Sequence, residues 1–201
     1  MPGAITLDRS EGDGVAFLAM HRHMIDGIRK AFPGHPELFA GFDHVPRGQD
    51  DPENPMPWRD VRWSAAQLAA IDKLEHIEDH VDEFATEDEL GLYIEVPFRW
   101  TPENPSGFVA DGSSGLHFML HAQWSVAGSP VNLGIGENLI LNRVFWDLHG
   151  WIDNVWERYR IARGLTRDDL EYQEALVGQC EEMHDQLDLR PHAGHAQEDA
   201  P

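Results

Sequence analysis

A short stretch of this chain places two histidines on the apolar side of a helical pattern, and this feature constrains the fold more than any other. In the stretch from 114 to 126, His117 and His121 lie four residues apart and share a face with Leu120 and Trp124. Residues with this spacing stack one turn apart on the same side of a helix. The stretch therefore predicts a core helix that carries two inward-facing imidazoles.

A second helix with the same character is predicted from 139 to 164. On its apolar face His149 aligns with Phe145, Ile152 and Trp156, taking about 100° per residue. This helix thus adds a third inward-facing histidine.

The first predicted helix, residues 14–32, also carries a histidine on its apolar face. His21 lies at the centre of a face that includes Phe17 and Ile25, whereas His23 lies on the opposite side. Three predicted helices therefore contribute four inward-facing histidines.

Imidazoles gathered in an apolar core need partners for their ring nitrogens, since an unpartnered buried polar group costs of the order of a few kcal/mol. One metal ion can satisfy several imidazoles at once, and such sites hold copper or zinc. Cys180 is the only cysteine, so no thiolate cluster is available. We predict a metal site at His117, His121 and His149 with His21 as a further ligand. For His21 alone, a core histidine bonded to a carbonyl or carboxylate is the alternative.

Two more histidines lie in the helix predicted from 64 to 84. His76 and His80 have the same four-residue spacing but fall at the edge of its apolar stripe. A di-iron site would require a glutamate three residues before a histidine. Lys73 and Ile77 occupy those positions, so we favour a solvated charged flank here.

Together these patterns predict a mainly α fold: a four-helix bundle core with a metal site, long irregular loops and a short β element. The β element is a strand expected at 91–99, and Pro- and Gly-rich loops are expected at 34–60 and 100–114. We expect one domain over 1–189 and a disordered tail over 190–201. The predicted helices cover residues 14–32, 64–84, 114–126 and 139–164, with a fifth that opens at Thr166 and runs to about 187.

The charge balance narrows the choice of partners. The chain has 36 acidic and 15 basic residues, a formal net charge of −21, so nucleic acid and anionic membranes are disfavoured. No stretch approaches the roughly 18 apolar residues of a membrane span. The first residues also lack a signal-peptide pattern, so we expect a cytoplasmic protein. The sequence predicts no particular oligomeric state.

The segment 145–156 contains Phe-Trp-Asp-Leu-His followed by Ile-Asp and Trp, and resembles the copper B signature of tyrosinases, catechol oxidases and haemocyanins. His149 matches the second histidine of that family's pair, while Leu148 replaces the first. His117 and His121 resemble the His-x-x-x-His of the preceding copper B helix. By this resemblance Asp153 anchors the helix or a neighbouring loop.

A second, shorter resemblance concerns residues 17–22, Phe-Leu-Ala-Met-His-Arg, which are similar to the family's Phe-Leu-Pro-Trp-His-Arg. It implies that His21 is a copper A ligand. No histidine precedes it in the sequence, so the other two copper A ligands are missing. Recruitment of His44, His76 or His80 would be needed to complete a second copper site.

The resemblance implies a tyrosinase-like, copper-dependent oxidase or monooxygenase. Such a protein would hold one or two copper ions and use dioxygen to oxidise a small phenolic or aminophenolic aromatic. We expect Asp153 in the outer shell of the metal, with an apolar surround of Phe145, Trp124 and Trp156. A copper-delivery partner would be a further interaction. The alternatives are a mononuclear metal protein, and a non-catalytic bundle that binds a metal or a partner.

Overall fold

The computed structural model of the chain describes residues 12–47, 63–95, 115–125, 133 and 139–178. No strand occurs among these residues, which confirms the predicted mainly α fold. The helices are α1 (Asp13–Ala31), α2 (Ala65–Glu75), α3 (Glu87–Glu95), α4 (Leu116–Gln123), α5 (Arg143–Arg163) and α6 (170–178). Short 3-10 turns occur at Pro36–Phe39, Ile77–Asp79, Val81–Glu83 and Leu139–Leu141. The predicted tail over 190–201 lies outside the described residues.

The long helices α1 and α5 form the centre of the helical core. α1 packs against α3 and α5, and α4 contacts both α2 and α3. Their facing sides share one apolar cluster, and burying each large side chain in it stabilises the fold by about 1.5–3 kcal/mol. Fully buried members of the cluster include Leu18, Leu74, Ile94, Leu120, Leu148 and Val155. None of the described helices is both long and apolar enough to cross a bilayer.

The strand predicted at 91–99 is wrong over 91–95, which belong to α3, while 96–99 lie outside the described residues. The start of α3 explains the difference. The Thr86 hydroxyl accepts a hydrogen bond from the Glu89 backbone N–H, and the Glu89 carboxylate accepts one from the Ala85 N–H. The first bond satisfies an N–H group that the helix start leaves free, and the second ties the residue before Thr86 to the first turn. Residues 91–95, whose types favour a strand, therefore continue this helix, which buries Leu90 and Ile94.

α2 is shorter than predicted. Its start at Ser64 is confirmed, since Ser64 and Gln67 form a reciprocal capping box. Its end at Glu75 coincides with Arg158 of α5, which donates to the carbonyls of Leu74 and Glu75. The chain continues in two 3-10 turns as far as Glu83, so the predicted helix to residue 84 is wrong in its second half.

Two other predicted boundaries also shift. The predicted helix over 139–164 divides into a 3-10 turn at Leu139–Leu141 and α5, which ends at Gly164 in a left-handed conformation. The fifth predicted helix begins at residue 170 rather than at Thr166. Asp169 holds the intervening turn by accepting a hydrogen bond from the Thr166 N–H at 2.6 Å.

A close backbone contact lies next to the histidine of α5. Gly41, with φ of 90°, packs directly against Gly150, and a Cβ added at Gly41 would lie 2.4 Å from the Gly150 carbonyl carbon. The Phe42 N–H donates to the Asp147 carbonyl at 2.9 Å. The segment that follows α1 is thereby fixed across the first half of α5.

Candidate metal centre

Four histidines from three helices meet at one place in the bundle. α1 supplies His21, α4 supplies His117 and His121, and α5 supplies His149. His21 and His149 are buried, and the two histidines of α4 are partly buried. The helical spacing that placed these residues on inward faces is the reason they converge.

The ring nitrogens approach one another closely. The Nε2 atom of His149 lies 3.4 Å from Nε2 of His117 and 3.4 Å from Nε2 of His121. One ligand nitrogen each of His21, His117 and His149 lie within 4.8 Å of one another. Two nitrogens bound to one tetrahedral ion at about 2.0–2.1 Å would lie about 3.3–3.4 Å apart. The spacing of the imidazoles therefore fits a shared metal ion.

Backbone carbonyls fix the protonation of two of the rings. His21 Nδ1 lies 2.7 Å from the Phe17 carbonyl oxygen, and His149 Nδ1 makes the equivalent hydrogen bond to the Phe145 carbonyl. A carbonyl only accepts, so each Nδ1 must carry the proton. The Nε2 atom of each neutral ring then carries no proton. Its lone pair is available to bind a metal.

Burial keeps these rings neutral. It lowers the pKa of His21 to about 4, against the hydrogen bond to Phe17, which acts in the opposite direction. Burial also lowers the pKa of His117 and His149 well below the usual value, and the neighbouring imidazoles lower them further. The pKa of His121 is lowered by burial and raised in part by a hydrogen bond to the backbone of Leu133. The lowered pKa values therefore favour the uncharged form of all four imidazoles at neutral pH.

The Nε2 atom of His21 is the clearest sign of a missing partner. It is buried and makes no hydrogen bond with the described residues. Its ring stacks on that of His149, with centroids 5.0 Å apart and planes 11° apart, and meets His117 edge-on at 5.1 Å. A lone pair buried without a donor is costly, whereas a cation among these nitrogens would satisfy it.

Two phenylalanines enclose the buried side of the cluster. The Phe17 ring lies 4.2 Å from His21 and 5.1 Å from His117. The Phe145 ring lies 3.9 Å from His149. Both belong to a Phe-x-x-x-His pattern in which the same phenylalanine supplies the ring and the carbonyl. Phe145 was predicted at the site; Phe17 was not assigned to it, although this shared pattern marks it.

Two tryptophans predicted around the metal have other surroundings. Trp124 is buried, and its ring lies 6.1 Å from Phe42 in a stacked arrangement. Trp156 is also buried, and its Nε1–H donates to Glu87. Trp156 lies two helical turns after His149 on the same face of α5. At this point the face contacts charged residues rather than the imidazole cluster.

The hydrogen bonds of the Asp153 carboxylate come from arginines and not from the four imidazoles. Its carboxylate instead pairs with Arg22, the residue after His21, and also receives Arg29 Nη1 at 3.4 Å. Arg22 is buried, and its Nη1 lies 2.8 Å from Glu157. Although burial by itself lowers the pKa of Arg22, the charge of Asp153 raises it overall. Asp153 therefore links α5 to α1, and the sequence did not assign a role to Arg22.

The other candidate histidines lie elsewhere. His76 Nδ1 bonds the Asp72 carbonyl at 3.0 Å, and His80 Nδ1 lies 2.6 Å from Glu83. Within the described ranges neither of these residues, nor His44, joins a group of three metal-ligating side chains. The recruitment of His44, His76 or His80 as copper A ligands is not supported by this arrangement.

Comparison with protein-family models, with curated proteins and with solved structures finds no match to this chain.

Proposed function

We propose that this protein is a copper-binding oxidase that uses dioxygen to oxidise a small phenolic or aminophenolic aromatic. The observation that carries the proposal is the convergence of ligand nitrogens from His21, His117 and His149 within 4.8 Å of one another, with His121 Nε2 3.4 Å from His149 Nε2. Hydrogen bonds to backbone carbonyls leave His21 and His149 with no Nε2 proton to share. A bound cation would give these unprotonated Nε2 atoms a common partner.

The donor set favours copper. It consists of imidazoles alone, a set that suits copper and zinc rather than the oxygen-seeking ions magnesium and calcium. The resemblance of residues 145–156 to the copper B signature favours copper over zinc. Copper, when bound, supplies one-electron redox chemistry and reactivity toward dioxygen.

The protein's own residues would prepare the site in two ways. The Phe17 and Phe145 carbonyls hold the buried imidazoles in one tautomer and one orientation, so that the site needs little rearrangement to accept a metal. The rings of the same phenylalanines exclude water from the buried side. His117 and His121 are only partly buried, and we infer that an aromatic substrate would approach the site past them.

The arrangement favours one metal ion per chain over two. Within the described ranges, His21, His117 and His149 form one group of possible metal ligands, and His121 lies beside it at His149. The residues considered for a second copper lie elsewhere. A mononuclear site is therefore the form of the proposal that we favour. Binding of copper without oxidase activity would leave a metal-binding bundle as the function.

Metal analysis tests the proposal directly. Protein expressed with added copper should contain about one copper per chain, and His121→Ala and His149→Ala should contain much less. His23→Ala, in the same helix as His21 but outside the cluster, is the matched control and should keep its copper. Copper content that is unchanged in both cluster variants would refute the site.

Activity is measured on the same proteins. Oxygen uptake with catechol and with o-aminophenol should be detectable for the copper-loaded wild type and absent in His149→Ala. A wild type that binds copper but consumes no oxygen with either compound would refute the oxidase and retain the metal site.

A further inference from the structure

Helix α6 docks on the bundle through one deeply buried side chain. Tyr172 is 3% exposed, whereas Leu170 and Val177 of the same helix are 71% and 55% exposed. Ala175 and Leu176 pack only partly against the core. Over residues 170–178, the attachment of α6 therefore depends chiefly on Tyr172.

Tyr172 reaches charged groups in the interior. Its hydroxyl accepts a hydrogen bond from Arg22 Nη1 at 2.9 Å. The guanidinium of Arg160 lies 4.2 Å from its ring centre, and the ring of Trp156 lies 5.3 Å away. Cation–π contacts of this kind are strongest where water is excluded.

Arg22 connects this docking site to the imidazole cluster. It follows His21 directly in α1, and its remaining partners, Asp153 and Glu157, belong to α5. α1 and α5 carry the stacked rings of His21 and His149. The Arg22 guanidinium thus fixes the position of α1 relative to α5, one residue away from the imidazole cluster. Tyr172 contacts the remaining side of this guanidinium.

We propose that Tyr172 is a positioning residue for His21 that acts through Arg22, so that docking of α6 and the geometry of the imidazole cluster are coupled. Undocking of α6 would remove a hydrogen-bond acceptor from a buried guanidinium and admit water beside it. The consequence for metal affinity rests on the proposed metal site. The coupling to His21 itself does not. Since coupling between two binding events is reciprocal, a metal bound at the cluster would in turn stabilise docked α6.

The coupling is tested first in the metal-free protein. Tyr172→Phe keeps the ring and removes the hydroxyl, Tyr172→Ala removes both, and Val177→Ala is the control on the exposed side of α6. Imidazole nitrogen NMR spectra should show shifted His21 resonances in both Tyr172 variants and unchanged ones in Val177→Ala. His21 resonances identical to wild type in Tyr172→Phe and in Tyr172→Ala would overturn the proposal.

The second test uses copper(II) as the probe. We expect affinity to fall about fivefold in Tyr172→Phe and on the order of twentyfold in Tyr172→Ala, within the usual range of coupling between sites. Copper should also slow amide hydrogen exchange across residues 170–178 in the wild type, and less so in Tyr172→Phe. Wild-type affinity in both variants, in protein that circular dichroism shows to be folded, would overturn the coupling to metal. An unfolded Tyr172→Ala leaves the decision to Tyr172→Phe.

The two proposals can fail separately. A wild type that does not bind copper(II) would refute the proposed metal site, while the His21 resonances of the metal-free variants would still decide the role of Tyr172. Copper binding with unchanged His21 resonances and affinity in the variants would refute the role of Tyr172 and retain the metal site.

Discussion

The rings of His21 and His149 stack almost in parallel, 5.0 Å apart, although they come from the first and the fifth helices. Each ring donates its Nδ1–H to the carbonyl of the phenylalanine four residues earlier. The two helices thus present the same Phe-x-x-x-His unit to each other. His117 and His121 of α4 add two further imidazoles beside these rings.

Stability of the metal-free protein should depend on pH through these histidines. Burial lowers the pKa of His21 from 6.5 to about 4, so the folded state binds fewer protons than the unfolded state in this window. Stability is therefore full above about pH 6.5 and is lost as pH falls toward 4, by roughly 3 kcal/mol for a shift of this size. Urea unfolding between pH 7.5 and 4 measures the loss. His21→Leu should flatten the dependence, and an equally steep dependence in that variant would contradict the prediction.

Metal binding should raise the stability of the folded protein. A ligand that binds only the folded state stabilises it by about 2.7 kcal/mol at 100 times its dissociation constant. Thermal unfolding of the metal-free wild type should shift to higher temperature on addition of copper(II), and a chelator should reverse the shift. In His149→Ala the shift should be small, since this variant lacks the imidazole whose Nε2 lies 3.4 Å from two others. An equal shift in wild type and variant would place the bound metal elsewhere.

Gly150→Ala should destabilise the fold by about 1–3 kcal/mol, since close-packed sites resist added volume. A Cβ at Gly150 would lie 2.7 Å from the backbone nitrogen of Gly41. Gly27→Ala is the matched control: this glycine lies within α1 and a Cβ there meets nothing within 4 Å. It should stabilise the fold by about 0.5–1 kcal/mol, the usual gain in helix interiors. Chemical denaturation of both variants measures the change in the free energy of unfolding. No change in Gly150→Ala would show that the backbone around Gly41 shifts at little cost.

Removing one partner of the Arg22–Asp153 pair should cost more than removing both. Asp153→Leu leaves a buried guanidinium without its main counter-charge, and losses of about 3–5 kcal/mol are usual for such changes. Arg22→Met combined with Asp153→Leu should recover much of the loss. Equilibrium unfolding of the two single variants and the double variant forms the cycle. An additive result would show that the pair has no coupling of its own.

Several features of the fold and the site followed from local pattern. The spacing of His117 and His121, the alignment of His149 with Phe145, and the place of His21 in α1 predicted inward-facing imidazoles, and the structure brings all four together. Local pattern could indicate these faces because a helix of fixed period turns residues four apart to one side, whatever the rest of the fold does. The three that form a group of possible ligands are His21, His117 and His149, whereas the predicted trio was His117, His121 and His149. The capping box at Ser64 is local in the same sense.

Other features depended on residues far apart in the chain. The run Leu-Tyr-Ile-Glu-Val resembles a strand, yet most of it continues α3, which begins at a capped turn and packs on α1. α2 ends where Arg158 reaches its carbonyls from α5. Neither outcome is written in the local spacing of apolar residues, because each depends on a partner that only the folded chain brings near.

The amino-acid sequence by itself therefore determined which helix faces carry imidazoles, and with them the donor type of the site. Only the tertiary structure decided that Asp153 pairs with Arg22 rather than with a histidine, that Trp156 lies near charged groups, and that Tyr172 closes the bridge between α1 and α5. The physical reason is that helical periodicity sets the direction of a side chain, whereas the crossing of helices sets what it meets.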